Sequence, residues 1–437
     1  MQSLKSLLGY ANDESGPQTP FGKPFRNKFF RNFDPEVRPV NHGSYGAVPE
    51  PIFHKFVTAM EETDHFPDYA IRFNEPDHYV EALKCLGDFF NCDYRNLAIV
   101  ENATTGVNTV LRSFPFKKGD KVIFASTVYG SCGNVVKFLE KRYGIEAVIA
   151  QLDYPLNDDE VVQIYENLIK AHSPRLCMFD AVTSMPGVKM PFIELTKLCK
   201  KYGVISLVDG AHSAGLIPYD FSFSPDFFVT NLHKWLYVPR GCCALYVDSK
   251  HFNTIQTLPI SHSYVDEDLK LPDDVEENLL VSKFTFTGTT YQAQLKCIQA
   301  AIEFRRMECG GEQAIYDYCH ELALKVGVAV SKTWGTRYLD NDDKSLVTAM
   351  VNVEVPIKRI ADECNANIEL LKDPVQYKTF EDSVLKSMAL KYKTFVPIAN
   401  HNGCLWARFS CQIYNSFEDY EYAAKSLLQS MADYLKE

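Results

Sequence analysis

The chain has 437 residues, of which 46% are hydrophobic and 23% are charged, and its formal net charge is −11. This length is more than one hydrophobic core needs, so we expect a globular protein with more than one domain. The negative charge, with no long basic stripe to offset it, argues against nucleic acid as a partner, and no apolar run approaches the roughly 20 residues that span a membrane.

The 13 cysteines are an odd number and are scattered along the chain without paired spacing. Such cysteines are typical of the reduced, mostly buried thiols of a cytoplasmic protein. No Cys-x-x-Cys pair meets a second pair or a histidine pair, so no metal site is expected. The first 16 residues lack the long apolar stretch of a signal peptide, which also favours the cytoplasm.

Residues 1–40 show little periodicity and are rich in Pro, Phe, Lys and Arg. They could form a basic patch at a membrane surface, or an arm that packs its aromatic side chains on the body or on a partner subunit. We favour the second and predict an N-terminal arm.

From residue 78 onwards, apolar runs of strand length alternate with amphipathic helical stretches. Because the strands are apolar on both faces, the pattern predicts an α/β fold with a mostly parallel sheet covered by helices on both sides. We assign it to a large domain of residues 41–309, which closes with a long helix over 291–308. The predicted strands are 96–102, 121–126, 147–152, 175–182, 204–210, 225–233 and 241–247, and the predicted helices around them are 78–90, 104–114, 133–143, 158–171 and 193–203.

After residue 309 the regular alternation of strands and helices stops. The predicted elements there are strands at 346–355, 367–371 and 405–410 and a C-terminal helix over 416–435. This predicts a smaller α+β domain over residues 310–437. Parallel sheets bind ligands at the carboxyl ends of their strands, so polar residues at those ends are the candidates for a site.

The first candidate is the segment 102–106, between the first strand and a helix. Its small and hydroxyl residues leave backbone N–H groups free at a helix N-terminus, and Thr104 and Thr105 add hydroxyl donors, which suits a phosphate ester. The alternative is an ordinary threonine cap. No Gly-x-Gly-x-x-Gly follows this strand, so a dinucleotide site loses its main support.

Asp209 emerges from the end of a buried strand, where a carboxylate is costly unless it is paired. A protonated pyridine nitrogen would be a suitable partner; the alternative is a helix cap. His212 follows after a turn-like step, and its alternative is a core histidine.

Lys234 follows another strand, between His233 and Trp235. An apolar setting disfavours the charged amine, which makes it nucleophilic near neutral pH and able to form an imine with an aldehyde. The alternative is a surface lysine. Arg408, in a strand of the second domain, offers a planar fork of donors to a carboxylate, and its alternative is a buried structural ion pair.

Seven segments resemble motifs of the class V aminotransferase family, fold-type-I enzymes that use pyridoxal 5′-phosphate (PLP). The nearest branch contains isopenicillin-N-epimerase-like proteins, cysteine desulfhydrases and hercynylcysteine sulfoxide lyases. The resemblance covers about residues 38–430. The segments are NHGSYGAVP (41–49), NATTG (102–106), VTSMPG (182–187), VDGAHSAG (208–215), TNLHKW (230–235), FTGTT (286–290) and ARFSCQIYN (407–415).

The resemblance implies roles for individual residues. Lys234 resembles the lysine that carries PLP as a Schiff base, and Asp209 resembles the partner of the pyridine nitrogen; with Tyr129 they are the candidate catalytic residues. Arg408 resembles the clamp for the substrate α-carboxylate. The remaining residues resemble cofactor or substrate contacts: Ala103, Thr104, Asn231 and His233 at the phosphate, His212 and Thr183 at the phenolic oxygen, Tyr129 stacked on the ring, Asn41 and His42 lining the substrate pocket, and Thr289 reaching the phosphate of a neighbouring subunit.

The role of Thr289 implies a homodimer with shared active sites. The resemblance as a whole predicts a PLP-dependent carbon–sulfur lyase that acts by β-elimination on a cysteine-type amino acid, a cysteine S-conjugate or a sulfoxide, as in ergothioneine synthesis, and releases pyruvate and ammonia. Cysteine desulfurases carry a catalytic cysteine ahead of the carboxylate-binding arginine, and the matching stretch 380–395 contains none, so persulfide transfer is not expected.

Two alternatives stay open at this point. One is another PLP reaction, epimerisation or transamination of an amino acid. The other is a non-catalytic binding protein on the same fold, against which the presence of Lys234, Asp209 and Arg408 argues.

Overall fold

The computed structural model describes residues 16–266 and 269–436. The segment 1–15, for which the sequence predicts no signal peptide, lies outside the described residues. The described strands form a sheet of seven and a sheet of three. They are β1 (Leu97–Val100), β2 (Lys121–Ala125), β3 (Glu146–Ala150), β4 (Leu176–Asp180), β5 (Ile205–Asp209), β6 (Phe227–Asn231), β7 (Cys243–Val247), β8 (Met350–Glu354), β9 (Ile398–His401) and β10 (Cys404–Ser410).

The large sheet has the strand order β1-β7-β6-β5-β4-β2-β3. β7 runs antiparallel to both of its neighbours, and the other pairs are parallel. β4, β6 and β7 are buried at every position, which explains their continuous apolar sequences. The predicted α/β class with a mostly parallel sheet is confirmed.

Helices cover this sheet and the smaller one. They are α1 (Lys23–Phe29), α2 (His42–Tyr45), α3 (Glu50–His65), α4 (Pro67–Tyr69), α5 (Glu75–Phe90), α6 (Ala103–Ser113), α7 (Gly130–Tyr143), α8 (Asp158–His172), α9 (Phe192–Tyr202), α10 (Leu232–Trp235), α11 (Asp273–Glu277), α12 (Leu279–Thr285), α13 (Leu295–Met307), α14 (Glu312–Trp334), α15 (Ile357–Glu363), α16 (Pro374–Lys391) and α17 (Phe417–Lys436). None of those described is both long and apolar enough to cross a membrane.

The small sheet is antiparallel, in the order β8-β10-β9, and packs with α14, α16 and α17 around a second hydrophobic core. The predicted strand 367–371 is wrong, because a 3₁₀ helix lies there. Asp373 then caps α16 by accepting the backbone N–H groups of Val375 and Gln376. The third strand is β9, which joins β10 through Asn402 and Gly403, both with positive φ, as a two-residue hairpin turn requires.

The described part of the predicted N-terminal arm packs on the body of the protein. Phe25 and Phe29 are buried against Phe304 of α13, and Phe30 contacts Tyr414. The predicted boundaries after residues 40 and 309 stay predictions.

Candidate active site

The candidate site lies at the carboxyl edge of the large sheet. β4, β5 and β6 are parallel neighbours that end at Asp180, Asp209 and Asn231. α6 and α10 begin just after the ends of β1 and β6, so their first turns face the same edge. β6 ends two residues earlier than predicted, which places Lys234 in α10 instead of directly beyond a strand.

The amine of Lys234 lies inside this edge. Its Nζ is 3.2 Å from Nε2 of His212. Burial, followed by the positive charge of Arg408, lowers the pKa of Lys234 to about 8, while the negative charge of Asp209 opposes the shift. An amine with this pKa is partly unprotonated near neutral pH, as imine formation and proton abstraction both require. The alternative that Lys234 is a surface lysine is wrong, because its amine is buried.

Glycines in the segment 41–49 allow it to approach α10. Gly46 has a φ of 67°, and a side chain there would overlap the carbonyl oxygen of His233. Only glycine combines that backbone conformation with so close an approach. The segment 41–49 therefore brings Asn41 and its neighbours close to α10, the helix that carries Lys234.

Asp209 is buried and held by two donors. Its Oδ1 accepts the backbone N–H of Ala211 at 3.0 Å, and its Oδ2 accepts the thiol of Cys132 at 3.4 Å. Burial raises the pKa of Asp209. No described residue forms an ion pair with this carboxyl group, so a cationic partner would be favoured there.

The loop before α6 is organised by Asn102. Its Oδ1 accepts the N–H of Thr105 at 2.9 Å, so asparagine caps the helix and the threonine-cap alternative is wrong. The N–H of Ala103 donates to Oδ1 of Asn231 at 2.9 Å, and Thr104 Oγ1 lies 3.0 Å from Ser131 Oγ. A surface cavity of about 420 Å³ opens beside this turn, with Thr104 in its lining.

Arg408 is a buried cation without an acidic partner among residues 16–266 and 269–436. Its Nη1 donates to the carbonyl of Ser184 at 2.7 Å, and its Nη2 donates to Asn41 Oδ1 at 2.9 Å and Ser44 Oγ at 3.0 Å. Its Nε is buried without a hydrogen-bond partner. Burial lowers the pKa of Arg408 to about 10. The structural-ion-pair alternative is therefore wrong for the described chain.

Three further predicted residues have contacts other than those expected of them or no contact in the described chain. His42 is buried, with Nδ1 2.8 Å from the hydroxyl of Tyr414 and its ring against Trp235, and burial lowers its pKa to about 3. The hydroxyl of Thr183 donates to the carbonyl of Pro186 within its own loop. Thr289 is exposed beyond α12.

Two further residues occupy the rim. Tyr129 is 52% exposed and precedes α7, whose first turn carries the Cys132 thiol to Asp209. His233 Nδ1 donates to the carbonyl of Cys242 at 2.9 Å. Its other ring nitrogen, Nε2, is therefore the one left for the predicted phosphate contact. Their predicted contacts to a ring and to a phosphate stay predictions.

Sequence reasoning missed several residues at this edge. Asp180 is paired in register with Asp209 on the adjacent strand and is buried. The signal for it was available, because a lone carboxylate ends the apolar run of β4 just as Asp209 ends β5. Cys132 and Ser44 left no comparable signal, since their contacts depend on the packing of distant segments.

Comparison with known proteins identifies the family. Residues 69–379 match the family model "Aminotransferase class-V". The chain is 30% identical over 407 residues to hercynylcysteine sulfoxide lyase of Schizosaccharomyces pombe, covering 93% of this chain and 96% of that protein. It is 30% identical over 434 residues to an L-cysteine desulfhydrase-like protein of Epichloe uncinata, covering 93% and 95%.

Solved structures share the fold. A complex of the cystine C–S lyase C-DES superposes with a TM-score of 0.71 at 17% identity, over 90% of this chain and 97% of that chain. A cysteine desulfurase from Thermococcus onnurineus gives a TM-score of 0.67 at 18% identity, over 96% and 99%. The resemblance of the sequence motifs is confirmed: the chain belongs to the class V aminotransferase family, whose members are PLP-dependent enzymes of fold type I.

Proposed function

We propose that the protein is a carbon–sulfur lyase that acts on a cysteine-type amino acid, with a cysteine S-conjugate or sulfoxide as the preferred substrate and pyruvate and ammonia as products. The observation that carries this proposal is Arg408, a buried guanidinium without an acidic partner in the described chain, near a lysine whose pKa is about 8. A free amino-acid carboxylate is the partner that a fork of buried donors favours. The names of the similar proteins favour sulfur as the leaving group.

The residues at the carboxyl edge fit PLP. Lys234 offers an amine for its aldehyde, and Asp209 offers a buried carboxyl group that lacks a cation. The turn before α6 offers the Thr104 hydroxyl for its phosphate at a helix N-terminus. Asn231 holds that turn in place by accepting the N–H of Ala103. When bound, PLP supplies a ring that withdraws electrons from the α-carbon of an amino acid.

Each side chain then has a task toward the substrate. Arg408 binds the α-carboxylate and so fixes the direction of the Cα–H bond. Lys234 takes the α-proton on Nζ as general base, for which a pKa of about 8 is well suited. Asp209 would favour a protonated ring nitrogen in the cofactor, because its buried carboxylate lacks a cationic partner among the described residues.

The cysteine pattern supports elimination over persulfide transfer. The stretch 380–395, which has no cysteine, covers most of α16 and the residues that follow it. Cys404 lies in β10 itself, four residues before Arg408, and Cys364 caps α15. Neither position is a loop ahead of the carboxylate clamp.

We also propose that the protein is a homodimer in the cytoplasm. Thr289 is exposed, as expected of a residue that reaches the phosphate of a second subunit. Light scattering during size-exclusion chromatography tests the dimer, and a Thr289→Ala variant that binds PLP as tightly as the unaltered protein would contradict the shared site.

The function is tested by incubating the PLP-loaded protein with cysteine, cystine and cysteine sulfoxides while pyruvate and ammonia are measured. We expect both products in equal amounts, with the highest kcat/KM for a substrate that has a good sulfur leaving group. Lys234→Ala should lower turnover by roughly 10²- to 10⁴-fold, the range for a positioned general base.

The other family reactions give different products in the same experiment. Racemised amino acid that carries deuterium from deuterated water, without pyruvate, would indicate an epimerase. Conversion of an amino acid to its keto acid with amino-group transfer to the cofactor would indicate an aminotransferase. Either result would replace the lyase proposal.

A further inference from the structure

Trp235 forms a hydrogen-bonded line with His212 and Lys234. The indole Nε1 of Trp235 donates to Nδ1 of His212 at 3.2 Å, and Nε2 of the same imidazole lies 3.2 Å from Nζ of Lys234. Trp235 and His212 are both buried. The two ring nitrogens of His212 therefore have different and fixed neighbours.

The protonation of His212 follows from these neighbours. Burial, followed by the positive charges of Lys234 and Arg408, lowers the pKa of His212 well below its usual value, so the ring is neutral at physiological pH. A neutral imidazole carries one N–H. Because an indole N–H is a donor only, Nδ1 must be the acceptor and Nε2 must carry the hydrogen.

We propose that Trp235 is a positioning residue that fixes His212 as the Nε2–H tautomer and aims this N–H at the Lys234 amine. In the free enzyme the N–H then donates to the lone pair of the Lys234 amine once that amine is unprotonated, as it is at a pH above about 8. With cofactor bound, the same N–H would be a hydrogen-bond donor beside Nζ of Lys234. This second statement rests on the proposed function, whereas the tautomer does not.

Two contacts hold Trp235 where the proposal needs it. Its ring packs against that of His42, with centroids 4.8 Å apart. Its carbonyl accepts from Nη1 of the buried Arg305 at 2.7 Å. A phenylalanine at position 235 would keep the ring contact and the backbone contact, and would lose only the N–H donor.

The experiment measures the tautomer by ¹⁵N NMR of the full-length protein with ¹⁵N-labelled histidine, where the His212 signals are assigned with a His212→Gln variant. We expect the Nε2–H form in the unaltered protein at a pH above about 8, where the Lys234 amine is unprotonated. Trp235→Phe should shift the tautomer ratio about fivefold or more toward Nδ1–H, the effect of losing one buried hydrogen bond. Trp406→Phe is the matched control, because that buried indole donates to the carbonyl of His401 at 3.1 Å instead of to His212.

A second readout uses PLP-loaded protein. The pH at which the visible cofactor band titrates should move in Trp235→Phe and stay in place in Trp406→Phe. An Nδ1–H form in the unaltered protein, or an unchanged tautomer in a folded Trp235→Phe variant, would overturn the proposal. Because the NMR result does not depend on turnover, absence of pyruvate with the expected tautomer would refute the lyase alone.

Discussion

Asp180 and Asp209 lie side by side at the ends of adjacent parallel strands, in register and buried. Among the described residues neither carboxyl group is in an ion pair. Burial raises the pKa of both, and the charge of Asp209 raises that of Asp180 further, to well above its usual value. Two such neighbours cannot both ionise cheaply, so we expect the pair to keep one proton, and we expect it on Asp180, whose pKa the charge of Asp209 raises further.

This asymmetry predicts different results for two similar substitutions. Asp209→Asn removes the negative charge and should lower kcat/KM by roughly 100-fold or more. Asp180→Asn replaces a neutral carboxyl group by a neutral amide of the same shape, so kcat/KM should stay within about threefold. Steady-state kinetics with PLP-loaded variants checks this. Equal damage from both substitutions would show that Asp180 is ionised.

The lowered pKa of Lys234 predicts how cofactor capture depends on pH. Only the unprotonated amine attacks an aldehyde, and its fraction rises as the pH rises through the pKa. The rate at which PLP-free protein captures PLP should therefore increase up to about pH 8 and then level off. Stopped-flow absorbance measures this rate. A rate that keeps rising toward pH 10 would mean an ordinary lysine.

Arg408 contributes to that pKa and provides a second test of it. Removing its charge takes away the second-largest cause that lowers the pKa of Lys234, so the capture midpoint should move to higher pH in Arg408→Met. An unchanged midpoint would place the guanidinium too far away to matter.

Arg408 also predicts a substrate effect. Losing two charge-assisted hydrogen bonds to a carboxylate should lower kcat/KM by roughly 100-fold in Arg408→Met, while Arg408→Lys should recover part of it. The control is Arg337→Met, which removes an exposed arginine paired with Glu354 in the same sheet and should change kcat/KM less than about twofold. An amino-acid amide that reacts equally well with Arg408→Met and the unaltered protein would support the carboxylate contact.

Gly46 predicts a steric effect on the site. Gly46→Ala combines a φ of 67° with an overlap on the His233 carbonyl, so we expect about 2 to 4 kcal/mol of lost stability and weakened PLP binding. Gly203→Ala has nearly the same φ of 65° and open space around it, and should cost about 1 kcal/mol with no effect on PLP. Urea unfolding and PLP titration check both; equal losses would mean that backbone strain alone is responsible.

Much of the fold was predictable because burial of both sheet faces leaves a plain pattern of apolar strands. The same pattern exposed Asp209 and Lys234 as polar residues beyond strand ends. The error at 367–371 arose from a short apolar run that precedes a capped helix, and β9 was missed although Asn402 and Gly403 form a hairpin signal.

The contacts that complete the site were beyond sequence reasoning. The bond from Arg408 to Asn41, and that from Trp235 to His212, depend on how separate segments pack. His42 could be placed in the right motif but not given its buried orientation, since its neighbours Trp235 and Tyr414 come from elsewhere in the chain.

The contact between Asn41 and Arg408 joins positions 367 residues apart. A ribosome that adds about 5 to 20 residues per second needs tens of seconds to make that length. The contact cannot form before the last strand, β10, has emerged. A polypeptide released early, for example at a premature stop codon ahead of position 408, would keep Lys234 and lack the guanidinium to which we assign the substrate carboxylate.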